Sequence, residues 1–155
     1  MKLAEALIMR SAIMTDLSGL ESRINKNLIV QEQQKAQENA EKLIKEYIVL
    51  QEKLTKLITS IQKANSINYI MDREDKPTNE TLQDALVRRD GLTTLSEKLR
   101  GFAGEAVPNM RYSANEIKLE STVDSVRLLK NASDYAQEAR ELDMLIQKTN
   151  WLVEI

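Results

Sequence analysis

Residues Ala36 to Asn68 read AQENAEKLIKEYIVLQEKLTKLITSIQKANSIN, and Ala36, Ala40, Leu43, Tyr47, Leu50, Leu54, Leu57, Ile61 and Ala64 recur there at alternating intervals of four and three residues. An α-helix completes a turn every 3.6 residues, so this spacing lines the apolar side chains along one side of a single helix. The stretch contains no Gly or Pro and is rich in Leu, Lys, Glu, Ile and Gln, residues that cost little to place in a helix. A helix of this extent is about 45 Å long at 1.5 Å per residue, which requires equally long partners beside it. Ile44, Ile48 and Ile58 flank the main stripe and make a second side of the helix apolar as well. These features predict an elongated antiparallel hairpin whose remaining apolar face is covered by the rest of the chain or by another subunit.

Upstream, a first helix is predicted from about Lys2 to Leu28, with Leu3, Leu7, Met14, Leu17, Ile24 and Leu28 on a four-three seam completed by Arg10 and Glu21. Ala6, Ile13 and Leu20 form a parallel track that widens the stripe, and Gly19 weakens the helix locally. The polar stretch from Gln31 to Asn39 reads as a break. Downstream, Tyr69 to Thr81 contains Asp72-Arg73-Glu74-Asp75-Lys76-Pro77, loses the period, and reads as a connecting loop. Thr78, Asn79 and Thr81 are candidate N-caps for a third helix from about Leu82 to Ala103. Leu82, Ala85, Leu92, Leu99 and Ala103 lie on its seam, Arg89 and Ser96 interrupt it, and Gly101 and Gly104 supply a stop. The helical period fails from Glu105 to about Ser121, with an irregular or β-like segment expected near 111–119. A last helix from about Thr122 to Trp151 carries Leu128, Ala132, Tyr135, Ala139, Leu142, Ile146 and Thr149 on one seam. The predicted fold is all-α, four main helices in a single domain spanning residues 1–155, with coiled-coil-like seams.

The composition agrees with that reading and limits the chemistry. A chain of 155 residues with 42% hydrophobic content has the size and apolar material of one ordinary domain. Its 22 basic and 24 acidic side chains leave a net charge of -2, too small a global field to attract nucleic acid or an anionic membrane surface. There is no Cys and no His, which removes disulfides, ordinary zinc sites and nucleophilic relays built on either residue. No catalytic, metal or cofactor motif is found, so the expectation is a protein that is not an enzyme and carries no cofactor. Glu5 falls where a signal peptide needs its apolar core, and a cytoplasmic location is expected.

The polar residues that break the apolar pattern are the candidates for function. Arg10, Glu21 and Arg89 interrupt seams, and a charge at a packed position must be paired, exposed, or met by a partner across an interface. Asp90 follows Arg88-Arg89, a grouping able to hold an anion through bidentate guanidinium donors. Arg111, Tyr112 and Glu116 fall where the helical period fails, with Asp124 beyond them, and the structural alternative for these is a capped crossover in which Glu116 or Asp124 pairs with an arginine. Trp151 is expected to be a partly buried anchor near the end of the last helix.

Several segments taken together suggest a family. They are Met1-Lys2-Leu3-Ala4-Glu5-Ala6-Leu7, Thr81-Leu82 with Ala85-Leu86 and Arg89-Asp90, Arg111-Tyr112-Ser113 with Glu116-Ile117-Lys118, Thr122-Val123-Asp124, and Leu142-Asp143 with Ile146-Gln147 and Asn150-Trp151. In this order the chain resembles the septicolysin-like family of small bacterial proteins. The resemblance implies an all-helical, coiled-coil-like, self-associating protein and, through the family's name, a cytolysin.

The function expected from the residues is that of a non-enzymatic helical protein that forms a homo-oligomer, with no nucleic-acid partner. Two further readings stand beside it. One is a membrane-active, cytolysin-like protein; the other is a binder of a small ligand or anion through its arginines and carboxylates.

Overall fold

The computed structural model describes residues 1–108 and 117–155. Its elements are α1 (Leu3–Asn27), α2 (Ala40–Ile67), β1 (Tyr69–Met71), β2 (Pro77–Thr81), α3 (Leu82–Glu105) and α4 (Ser125–Leu152). The chain divides into two compact units, Met1–Asn68 with Lys148–Ile155, and Tyr69–Gln147. The all-α reading with four main helices holds.

In the first unit, α1 and α2 lie side by side as an antiparallel hairpin. Asn39 opens α2, its side-chain oxygen accepting from the Lys42 amide at 2.9 Å, so the helix starts four residues after Ala36. The predicted seam of α2 is the one that packs: Leu43, Leu54, Leu57, Ile61 and Ala64 are buried, and Ala40, Tyr47 and Leu50 are half-buried. On α1 the buried set is Leu3, Ala4, Ala6, Ile13, Leu17 and Leu20. Leu3 and Leu17 of the predicted seam are thus buried together with Ala6, Ile13 and Leu20 of the parallel track, and Leu7 and Ile24 are half-buried. Arg10, Met14 and Glu21, also members of the predicted seam, are exposed. The stripe therefore leaves out the two charged positions of the seam, Arg10 and Glu21, whose burial would cost an unpaired charge.

The ends of this unit are tied together. The Leu3 amide donates to the Val153 carbonyl and the Ile155 amide to the Met1 carbonyl, both at 2.9 Å. The Lys2 ammonium pairs with Glu154 at 2.8 Å, and Glu5 accepts from the Lys2 amide at the start of α1. Val153, Thr149 and Asn150 are buried there, whereas Trp151 is 54% exposed, so the anchor expected of the tryptophan is supplied by its neighbours.

In the second unit the segment predicted as a loop forms an antiparallel β-hairpin. Tyr69 pairs with Thr81 and Met71 with Pro77, with an irregularity between the pairs. Ile70 is buried, and the turn is closed by Asp72, whose carboxylate accepts from the amides of Glu74 (2.8 Å) and Lys76 (3.0 Å). Asp75 takes φ 63°, a left-handed conformation that Asp tolerates better than most residues. Pro77 stands at the first position of its strand, where its missing amide donor is tolerated. The β-like segment expected near 111–119 is not seen in its described part, since residues 117–119 are irregular, and 111–116 lie outside the described residues. Thr81 then caps α3, its hydroxyl oxygen accepting from the Asp84 amide at 3.1 Å. Contacts from Arg89 to Asp143 and from Ser96 to Ala132 run in opposite chain directions, so α3 and α4 are antiparallel.

Candidate functional site

Of the predicted polar positions, Arg89 and Asp90 come together. Arg89 is half-buried on α3 and donates to Asp143 of α4 at 2.7 Å through Nη1 and to Asp90 at 2.8 Å through Nη2. Those two carboxylates hold its guanidinium above the ordinary arginine range, the Asp143 hydrogen bond contributing most. Arg88 is engaged in the same way, gripping Glu80 with two 2.8 Å hydrogen bonds and reaching Glu138 at 3.4 Å. Ser96, the other polar interruption on the α3 seam, is buried and donates to the Ala132 carbonyl at 2.7 Å. A cleft of about 450 Å³ beside these residues is also lined by Arg100 and Arg140. The polar interruptions of α3 thus fasten it to α4. The partner of Arg89 on α4, Asp143, was the residue the seam argument did not single out, although it sits one position after Leu142 on the buried stripe.

The remaining predicted residues disperse. Arg10 and Glu21 are exposed on α1. Asp124 accepts from the Arg127 amide at 3.0 Å and so caps α4. Arg111, Tyr112 and Glu116 lie outside the described residues. Among the described residues no group of His, Cys, Asp and Glu is arranged to hold a metal ion.

The surface with the clearest unfilled character is on the α1–α2 hairpin. A groove of about 740 Å³ runs between the helices, lined on α1 by Thr15, Asp16, Gly19, Leu20 and Arg23 and on α2 by Lys45, Glu46, Val49, Leu50 and Lys53. Its floor is apolar and its rim is charged with both signs. Arg23 also forms a two-pronged pair with Glu38 in the segment leading to α2, which holds the Glu38 carboxyl below its ordinary range. Elsewhere on the hairpin Ile8, Met14, Leu28, Ile44 and Ile48 are exposed. The isoleucines were legible as a second apolar face; the groove was not, although Asp16 and Arg23, and Glu46 and Lys53, stand seven residues apart with opposite signs. No helix among the described residues is long and apolar enough to cross a membrane.

Nothing among curated proteins matches the chain. A solved structure does: the crystal structure of a functionally unknown conserved protein from Corynebacterium diphtheriae superimposes with a TM-score of 0.88 at 31% identity, over 100% of this chain and 98% of that one. The resemblance to septicolysin-like proteins is thereby corrected, because the family model and this relative both point elsewhere. Three of the features that carried it have structural explanations: Thr81-Leu82 is a helix cap, Arg89 with Asp143 an interhelical pair, and Asp124 a second cap. Features of that kind recur wherever helices pack, and they report fold rather than kinship. From residue 10 to residue 155 the chain matches the model of DUF6847, a family of unknown function, and it belongs to that family.

Proposed function

We propose that this is a non-enzymatic, self-associating helical protein whose α1–α2 hairpin is the element that meets the partner. The observation that carries the reading is the apolar surface left over once the hairpin seam is filled. Ile8 is 63% exposed, Met14 54%, Ile48 52% and Val49 68%, on two helices that already bury a continuous stripe against each other. Covering such side chains yields roughly 25 cal/mol per Å² of apolar surface, so several of them together supply a substantial driving force for association. The near balance of acidic and basic side chains favours a protein partner over nucleic acid.

The charged residues support a structural role over a catalytic or anion-binding one. Arg88 and Arg89 already have carboxylate partners, and Asp124 serves as a helix cap, so each does a job that folding alone requires. Sedimentation equilibrium at micromolar concentration tests the reading: a defined oligomer is expected, and a monomer at every concentration would overturn it.

A further inference from the structure

Arg88, Arg89 and Ser96 fasten the second unit together, but the cleft between α3 and α4 also holds charges that this fastening does not use. It is lined on α3 by a stripe from Arg89 to Arg100 and on α4 by one from Ala136 to Asp143. Arg89 is paired with Asp143. Among the described residues Arg100, Arg140 and Glu97, which line the same cleft, form no ion pair and no side-chain hydrogen bond. All three are exposed, so water and ligand can reach them.

The two free guanidiniums approach the cleft from opposite ends. Arg140 follows Ala139 near the level of Arg89, as the contact of Arg89 with Asp143 requires, and Arg100 stands beyond Ser96, which reaches Ala132. Their backbones are roughly 13 Å apart along the axes at 1.5 Å per residue. A helical side chain leans toward the N-terminus of its own helix, and because α3 and α4 are antiparallel Arg100 and Arg140 lean toward each other. Between them the lining includes Ala136 and Ala139, whose methyl side chains leave the space open. The cleft, at about 450 Å³, falls within the roughly 300–1,000 Å³ of small-molecule sites.

The residue types indicate the ligand. A guanidinium presents paired N–H donors that match the oxygens of a phosphate or carboxylate. A phosphate monoester carries a charge of about -1.5 to -2 at neutral pH and three acceptor oxygens, which suits two guanidiniums; a single carboxylate leaves one of them unmatched. Glu97 accepts hydrogen bonds and donates none when ionised, so it repels the phosphate and takes a hydroxyl of the molecule that bears it. We infer that the α3–α4 cleft binds a small hydroxylated phosphate monoester, its phosphate held between Arg100 and Arg140 and a hydroxyl donating to Glu97. The site lies wholly within the second unit and is independent of the self-association proposed above.

Isothermal titration calorimetry of the full chain at constant ionic strength tests this, with ribose 5-phosphate, inorganic phosphate and ribose as probes. Ribose 5-phosphate is expected to bind about tenfold more tightly than inorganic phosphate, and ribose not at all. Arg100→Gln and Arg140→Gln should each weaken both phosphate probes at least about tenfold. Arg127→Gln, at an exposed position of α4 outside the cleft, should leave binding unchanged. Glu97→Ala should narrow the gap between the ester and inorganic phosphate. Circular dichroism melting checks that every variant is folded. No saturable binding of either phosphate by the unaltered chain up to about 10 mM overturns the site. Binding that Arg100→Gln and Arg140→Gln leave intact lies elsewhere and overturns it too. Equal affinity for ester and inorganic phosphate, or a gap that survives Glu97→Ala, overturns the hydroxyl contact and with it the assignment to an ester.

Discussion

Arg89 shows what a charge on a helix seam does in this protein. A half-buried guanidinium without partners would be costly, and Asp143 from the neighbouring helix meets that need with a 2.7 Å hydrogen bond. Removing that partner leaves the guanidinium with Asp90 alone, so Asp143→Ala is expected to destabilise by about 1–2 kcal/mol in urea unfolding, a value moderated by the partial exposure of both groups. Asp90→Ala, which removes a local contact to the adjacent residue, should cost less. Ser96→Ala should cost about 1 kcal/mol, because it withdraws the buried donor from the Ala132 carbonyl. Equal, negligible effects for Asp143 and Asp90 would show that Arg89 is not a fastening point. Acid sensitivity belongs to the same scale. Arg23 and Lys2 hold the carboxyls of Glu38 and Glu154 below their ordinary range. Each therefore adds stability that is fully present above the unfolded carboxyl pKa and fades as pH falls through the lower folded value. The thermal midpoint should drop between about pH 5 and about pH 3, and Glu38→Gln should shrink that drop. Both groups are exposed, so high salt should blunt the effect.

At the scale of elements, the position of the inward stripe on α1 is directly measurable. Ile13 is buried and Met14 is 54% exposed. Ile13→Ala is expected to cost about 2–4 kcal/mol, and Met14→Ala to stay within about 0.5 kcal/mol in the monomer; the reverse order would restore the seam that runs through Met14 and Glu21. The comparison also shows what the amino-acid pattern conveys. On α2, α3 and α4 one apolar track is far stronger than its neighbours, and those tracks pack, down to Ser96 and Arg89 as the polar positions of α3. On α1 the widened stripe packs with members of both tracks, Leu3 and Leu17 from one and Ala6, Ile13 and Leu20 from the other, and periodicity alone does not say that Met14 falls outside it. The β-hairpin was hidden for another reason: three residues of β1, with only Ile70 buried, are too few to establish a two-residue period. Its turn was visible in Asp72 to Pro77, but the strands were not. The site was legible at Arg89 and Asp90 because seam-breaking charges stand out. The groove escaped notice because its charges look, one helix at a time, like any solvated face.

At the scale of the molecule, the helices settle their own seams and leave aliphatic side chains on the hairpin without cover. The exposed isoleucines are explained if the hairpin is completed by a second chain. Sedimentation equilibrium of the unaltered protein across the micromolar range, at low salt, tests this most directly. A defined oligomer that dissociates into monomers on dilution is the predicted result; a single monomeric species at all concentrations would contradict it.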